Sequence, residues 1–520
     1  MASFISAEEA ALNVKDGATI ALTGSGSILV ADNILEALEK RFLSTGSPKN
    51  LTIVHSLGIG DAEDRGLSRL AHKGMVKRVI GGHWSWSPRM QQLAKENEIE
   101  AYALPGGVIG TLLRESGARR PGLITRNGLG SFVDPRVEGG RLNLMAKDDI
   151  VEVLDIDGQE YLRYLPIKVD LAIIKASIAD EDGNVSFNFE PAFLDAYSLA
   201  LAAQGNAGTV MVQVKEKVKA GTIPPMEVHL PSTLTTSIIV DPSQWQTYER
   251  ETNQAFHSPR FLQSQLVEPE PIWLDDAKMI VVRRAAQEIN DGDIVNVGFG
   301  MSSSVVDVLR AESRLDRISL VIEQGAVGGT PASGALFGVS EYPEAVIPST
   351  MQFDAFATKL IDCAVLGMGE LDVNGNVNVS KLGGTPVGPG GFIDIVHGAK
   401  KSVFCGTFST KGLNALVSMN GLEILTEGQI IKIVSQVEQI TFAASAARSE
   451  GRTATYITER AVFELDAQGI ALKEIAPGVD PIADVLSHLP PEVDVSNWKL
   501  MDIKIFQDTF QTSSTRKVSK

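Results

Sequence analysis

Two related, open α/β domains with mainly parallel sheets are the fold this sequence predicts. Short apolar runs alternate with helical patterns such as Asp32-Asn-Ile-Leu-Glu-Ala-Leu-Glu and Val305-Val-Asp-Val-Leu-Arg-Ala-Glu. Strands that alternate with helices in this way build parallel sheets. In addition, two pairs of distant segments echo each other in the same order, as a duplicated chain would.

The first echo pairs Lys15-Asp-Gly-Ala-Thr-Ile-Ala-Leu-Thr-Gly-Ser-Gly26 with Asn290-Asp-Gly-Asp-Ile-Val-Asn-Val-Gly-Phe-Gly300. Each follows a helical stretch, Ala7-Glu-Glu-Ala-Ala-Leu or Val281-Val-Arg-Arg-Ala-Ala-Gln-Glu-Ile. Each reads as an Asp-Gly turn, a short buried strand, a Gly-x-Gly loop and a second helix. The second echo pairs Val169-Asp-Leu-Ala-Ile-Ile with Ile361-Asp-Cys-Ala-Val-Leu, so that Asp170 matches Asp362. Further on, Asp182-Gly-Asn matches Asn374-Gly-Asn, and each is a tight turn after a strand. Between the halves, residues 222–275 are richer in proline and polar residues (Thr222-Ile-Pro-Pro, Leu230-Pro-Ser-Thr, Glu268-Pro-Glu-Pro-Ile). The division expected is an N-terminal domain over 1–245, a linker over 246–275 and a C-terminal domain over 276–520.

At 520 residues with 44% hydrophobic and 21% charged side chains, the chain can bury a large core. The net charge of −17 argues against a nucleic-acid partner, which wants clustered Lys and Arg. The two cysteines, Cys363 and Cys405, stand in apolar surroundings and read as buried free thiols. The N-terminal Met-Ala-Ser-Phe-Ile-Ser has neither a basic nor an Arg-rich amphipathic pattern, and no apolar run is long enough to span a bilayer. A cytoplasmic location without membrane contact is the expectation.

Several chemistries lack their sequence signatures. A third glycine is missing after both Gly24-Ser-Gly26 and Gly298-Phe-Gly300, so neither is a dinucleotide fingerprint. There is no P-loop and no Gly-x-Ser-x-Gly elbow. The seven histidines are scattered without metal-ligand spacing, so no metal site is expected. Gly81-Gly-His-Trp-Ser-Trp-Ser-Pro88 reads equally as a pocket wall or as a packed aromatic cluster. What stands out is Ile318-Ser-Leu-Val-Ile-Glu-Gln-Gly-Ala-Val-Gly-Gly329. An apolar strand run ends in one carboxylate, Glu323, followed at once by Gly325, Gly328 and Gly329. Ligands of open α/β sheets bind at the carboxyl ends of strands, which makes Glu323 a candidate nucleophile. A plain strand or helix cap is the competing reading.

These motifs together resemble the family I CoA-transferases, in particular the fused-chain propionate/acetate CoA-transferases. In the N-terminal half the resemblance rests on Gly24-Ser-Gly, Leu104-Pro-Gly-Gly-Val, Gly128-Leu-Gly-Ser-Phe-Val-Asp-Pro-Arg136 and Gly139-Gly-Arg-Leu-Asn143. In the C-terminal half it rests on Val297-Gly-Phe-Gly, Glu323-Gln-Gly, Gly388-Pro-Gly-Gly-Phe-Ile-Asp-Ile395 and Ile457-Thr-Glu-Arg-Ala-Val-Phe463. It implies the CoA-transferase fold with the active site between the domains, and Glu323 as the catalytic acid that carries a covalent intermediate. It implies oxyanion donors at Gly390 and Gly391. Relatives often carry Gln where this chain has Gly106, so Gly106 or Gly107 is expected to substitute. Gly24, Gly26, Gly298, Gly300, Gln324 and Gly325 are the candidates for the CoA and acyl pocket, with Trp84 and Trp86 as further walls.

The implied activity is transfer of CoA between a short-chain acyl-CoA and a carboxylic acid, by a ping-pong route through a glutamyl-CoA thioester. No cofactor is permanently bound, and coenzyme A enters as a thioester substrate. A homo-oligomer, dimer or tetramer, is expected. An acyl-CoA hydrolase using the same Glu323, or a non-enzymatic ligand-sensing α/β protein, are the alternative readings.

Overall fold

The computed structural model describes residues 2–259, 262 and 274–507. The N-terminal half is built on eight parallel strands: β1 Ser3–Phe4, β2 Thr19–Leu22, β3 Leu51–His55, β4 Val76–Gly81, β5 Glu100–Ala103, β6 Leu171–Asp180, β7 Thr209–Val218 and β8 Ser237–Val240. Their spatial order is β1-β8-β7-β6-β2-β3-β4-β5, and a short arm, Val185–Ser186, folds back antiparallel on β6. Helices cover the faces, so the central strands read as continuous apolar runs, and β6 is buried at all but one position. The lysine inside that strand, Lys175, is tolerated because its ammonium lies 3.1 Å from Glu190 and donates to the carbonyl of Gln246 at 2.7 Å.

The C-terminal half carries β9 Ile294–Val297, β10 Ser319–Leu320, β11 Ile361–Gly367, β12 Ala399–Cys405, β13 Thr453–Ile457, β14 Ala461–Leu465, β15 Ile470–Ile475 and β16 Lys499–Leu500. The spatial order is β10-β9-β11-β12-β13-β14-β15-β16. Its first five strands repeat the order β3-β2-β6-β7-β8, all parallel. The halves differ at the flanks, where the N-terminal sheet adds parallel β4 and β5 and the C-terminal sheet adds the antiparallel pair β14 and β15. The expected pair of mainly parallel α/β sheets is what the chain forms.

The sequence echoes are echoes of hydrogen bonding. The Asp170 carboxylate accepts from the amide of Thr19 at 2.9 Å, and the Asp362 carboxylate accepts from that of Ile294, also at 2.9 Å. In the two turns, Asp180 accepts from the amides of Asp182 and Asn184 and from the Asn184 side chain at 3.0, 2.9 and 3.0 Å. Asp372 accepts from the amides of Asn374 and Asn376 and from the Asn376 side chain at the same three distances. Both aspartates are buried, so each turn depends on one carboxylate to satisfy its donors.

The halves share a continuous buried core. They also exchange equivalent hydrogen bonds: Gly106 N–H donates to the carbonyl of Gly390 at 2.7 Å, and Ser349 N–H to that of Leu194 at 2.9 Å. Of the expected linker, residues 260, 261 and 263–273 lie outside the described residues. Its beginning packs on the N-terminal half, where the Tyr248 hydroxyl donates to Asp32 at 3.0 Å. It then meets the C-terminal half, where Tyr342 N–H donates to Ala255 at 2.7 Å. Cys363 and Cys405 are buried and unbridged, and burial raises both thiol pKa values. Among the described residues no helix is long and apolar enough to cross a membrane.

Replacing Asp372 with Ala strands three donors in a buried turn and should destabilise the protein by about 2–3 kcal/mol. A shift of the urea midpoint measures this. A midpoint equal to wild type would contradict the role assigned to the carboxylate.

Candidate active site

Glu323 stands at the carboxyl end of the C-terminal sheet, just past β10. The turn that presents it is closed by Gly325 N–H donating to Ile322 and Ile322 N–H donating to Ala326, both at 2.9 Å. Gly325 has φ +114°, and a Cβ there would lie 1.9 Å from the carbonyl of Ile347, so only glycine makes this turn. The carboxylate faces a cavity of about 430 Å³ between the halves. Gln324 donates from its side-chain amide to Glu323 at 3.2 Å and to the Ser25 hydroxyl at 3.0 Å, tying the acid to the N-terminal Gly-x-Gly loop. Burial pushes the Glu323 carboxyl up to about 7, against hydrogen bonds from Gln324 and from the backbone of Gly391.

The loop Gly388–Gly391 lies over the acid. At Gly391 a Cβ would fall 1.8 Å from the Glu323 carboxylate, so the backbone comes this close only because the side chain is absent. The other expected donors are engaged elsewhere. Gly390 N–H donates to Gly82 at 2.7 Å and Gly106 N–H to Gly390 at 2.7 Å. Gly107 N–H donates to the carboxylate of Asp394 at 2.9 Å. The donor expectation therefore narrows to Gly391, and Gly106, Gly107 and Gly390 act on the site by fixing its loop. Among the pocket candidates, Gly26, Gly298 and Gln324 line the cavity. Gly24 lies behind the wall against Ile59, Gly300 opens onto a neighbouring cavity of about 250 Å³, and Gly325 is spent in the turn. The two tryptophans divide: Trp84 is core, whereas Trp86 lines the cavity in an aromatic row, 5.7 Å from Phe299, which is 5.2 Å from Phe337.

The N-terminal half holds the same two positions with the chemistry exchanged. Thr19 pairs with Thr52 as Ile294 pairs with Ser319, so four residues further on Ser56 is the counterpart of Glu323. The matching bonds to Leu194 and Gly390 make Asp195 the counterpart of Gly391. Ser56 donates to Asp195 at 2.5 Å, and both are buried. In one half the acid sits on the strand end and glycine on the helix start; in the other the acid sits on the helix start and satisfies a serine. Only the first arrangement leaves a carboxylate facing a cavity.

Sequence reasoning passed over Asp394, although it lies within the quoted Gly388–Ile395 motif. It is buried, and it also accepts from the Asn127 amide at 2.6 Å, so a C-terminal carboxylate is held by two N-terminal donors. Burial and the nearby Glu323 push it up to about 7. His83 lines the cavity, and burial and His55 push it down to about 4, which keeps it neutral at pH 7. No spacing signal marks these residues, since each acts through a partner distant in sequence.

A coenzyme A transferase family model matches residues 4–241. The acetate CoA-transferase YdiF of Escherichia coli (strain K12) is 39% identical over 507 residues, covering 97% of this chain and 95% of the relative. The caffeate CoA-transferase of Acetobacterium woodii is 36% identical over 527 residues, covering 99% of each. The crystal structure of the acyl-CoA transferase YdiF apoenzyme from Escherichia coli O157:H7 superposes with a TM-score of 0.91 at 37% identity, covering 98% of this chain and 96% of that one. A thioester complex of that transferase with CoA matches equally well.

A carboxyl whose pKa rises from 4.5 unfolded to about 7 folded stabilises the fold only while protonated. That contribution is complete below about pH 4.5 and is lost as pH rises through 7. Glu323→Gln should therefore raise the thermal midpoint above wild type at pH 8, with the gain fading as pH falls towards 4.5. A gain that is constant with pH would contradict the raised value.

Proposed function

Because the chain belongs to the coenzyme A transferase family and is a CoA-transferase, we propose that Glu323 carries the reaction as a covalent nucleophile between a short-chain acyl-CoA and a carboxylic acid. The observation that supports this reading most is an acid confined between the halves, beside an amide that no side chain shields. The Glu323 carboxylate attacks the acyl-CoA carbonyl and expels CoA thiolate, leaving an acyl-glutamyl anhydride. The thiolate then attacks the glutamyl carbonyl, forming a glutamyl-CoA thioester and releasing the first acid as its carboxylate. An incoming carboxylate attacks that thioester, and CoA thiolate leaves again. Its attack on the new acyl carbonyl yields the second acyl-CoA and restores Glu323. The thioester energy is conserved throughout.

Each attack on the glutamyl carbonyl places negative charge on an oxygen beside Gly391, where a fixed N–H stabilises it more than water would. Burial makes the Glu323 carboxylate more basic and strips the water that would otherwise weaken it as a nucleophile. Binding of the CoA portion offsets that desolvation, so remote contacts are converted into rate. The row of Trp86, Phe299 and Phe337 gives the cavity an apolar wall, which disfavours water beside both intermediates.

Initial rates with varied acyl-CoA at several acceptor concentrations should give parallel double-reciprocal lines, with negligible turnover when no carboxylate is present. Intersecting lines would contradict a covalent intermediate, and undiminished CoA release without acceptor would identify a hydrolase. The kcat/KM for acyl-CoA should fall about tenfold per pH unit below about pH 7, because attack needs ionised Glu323. A flat profile from pH 5 to 7 would contradict that requirement. Gly391→Ala forces the carboxylate and the loop apart and should lower kcat by about 10²–10³-fold with the fold intact. Retained kcat would remove Gly391 from the donor set.

A further inference from the structure

The first and last attacks in the proposed reaction fall on the acyl carbonyl, and each places negative charge on the acyl oxygen. The Gly391 amide bonds to the carboxylate of Glu323, so it serves the glutamyl oxygen. The acyl oxygen calls for a second donor, aimed at where its charge develops. The amides of Gly106, Gly107 and Gly390 are spent on loop contacts. Among the side chains on the cavity wall, Asn296 gives its amide to the carbonyl of Val321 at 2.9 Å. Gln324 gives its own to Ser25 at 3.0 Å and to Glu323 at 3.2 Å.

His83 is placed differently. The residues on both sides of it are bonded to the loop that covers the acid: Gly390 N–H donates to the carbonyl of Gly82 at 2.7 Å, and Trp84 N–H to that of Val387 at 2.8 Å. Beyond its chain neighbours, a Cβ on Gly390 would meet only His83 within 4 Å, with the ring Cδ2 at 3.7 Å. A Cβ on the next residue, Gly391, would meet Glu323. Ring and acid thus flank consecutive residues of one loop, and both line the same cavity. A Cβ on Gly58 would fall 2.9 Å from Nδ1 of His83, so the wall opposite is also kept clear for the ring by a glycine. Nδ1 is shut from solvent and has no hydrogen-bond partner among the described residues, a cost that a purely structural histidine would avoid. The neutral ring carries one N–H, which it can donate without forming an ion pair with the acid. We propose that His83 is a catalytic residue, which donates its ring N–H to the acyl carbonyl oxygen while Gly391 serves the glutamyl one. The proton stays on the ring throughout. The hydrogen bond strengthens as the oxygen gains charge and relaxes when CoA thiolate, or the glutamate carboxylate in the last step, leaves. This assignment rests on the reading of Glu323 as the nucleophile.

The test compares wild type with His83→Ala, His83→Asn and His83→Gln in turnover of acetyl-CoA with propionate. In His83→Ala, kcat should fall about 10²–10³-fold, the loss expected for one oxyanion donor. The KM for acetyl-CoA should stay within about threefold, because the contact is made chiefly in the transition state. An Asn amide nitrogen falls near Nδ1 and a Gln amide nitrogen near Nε2, so one of these variants should recover most of the lost kcat and identify the donating nitrogen. Full kcat in His83→Ala, or Asn and Gln variants both as slow as Ala, overturns the assignment. A second readout separates donation from a packing role: the infrared carbonyl stretch of carbonyl-13C acetyl-CoA bound to Glu323→Gln. It should lie below its value in water and return towards that value when His83→Ala is added; a stretch indifferent to His83 overturns the proposal. Wild type that forms no covalent CoA adduct on Glu323 overturns the nucleophile reading itself, whereas an adduct with turnover independent of His83 overturns only this proposal.

Discussion

A carboxylate held out of water against a bare backbone amide is the constraint on which the rest of this structure depends. Burial of Glu323 disfavours its charge, and Gln324 and Gly391 offset only part of that penalty. The surroundings are arranged to keep the acid there. A glycine turn presents it from the C-terminal sheet, Gln324 ties it to Ser25 of the other half, and the Gly388–Gly391 loop closes over it. That loop is pinned by Gly82 and Gly106, while Asp394 on the following helix is gripped by Gly107 and Asn127. Each pin crosses between the halves, so the reactive geometry exists only when both halves are docked. Under the proposed mechanism, the burial that makes Glu323 a better nucleophile is the same burial that costs stability.

The duplication explains how one such site arose from two equivalent places. Ser56 and Asp195 occupy the positions of Glu323 and Gly391, and one carboxylate lies at each junction. At the N-terminal junction the acid projects from the helix start and its hydrogen bond to serine fills the space. At the C-terminal junction the acid projects from the strand end, and the missing Cβ at Gly391 leaves room for a substrate. Exchanging which element carries the acid separates a filled junction from one that faces a cavity within one backbone plan.

Much of this was legible in the chain. The Asp-Gly and Asn-Gly echoes correspond to hydrogen bonds that match in partner and length, because a turn residue acts locally and leaves a local signature. Glu323 was legible for the same reason, since a buried strand running into an acid and glycines is a short-range pattern. The donor set was not. Gly106, Gly107, Gly390 and Gly391 look alike in sequence, and only the tertiary pairing decides which amide is left to face the acid. Asp394 and Asn127 escaped because their meaning lies in partners hundreds of residues away. The Trp84 and Trp86 pair was readable as aromatic, but which ring faces the core follows from the approach of the other half.

In the proposed reaction the acyl-CoA substrate leaves its CoA on Glu323. Intact-mass analysis after brief exposure to acetyl-CoA without an acceptor, followed by peptide mapping, tests it most directly. A CoA-sized mass increase is expected on the peptide bearing Glu323, lost on borohydride reduction and absent from Glu323→Ala. An enzyme that turns over acyl-CoA and carboxylate while carrying no adduct, or carrying it on another residue, would contradict it.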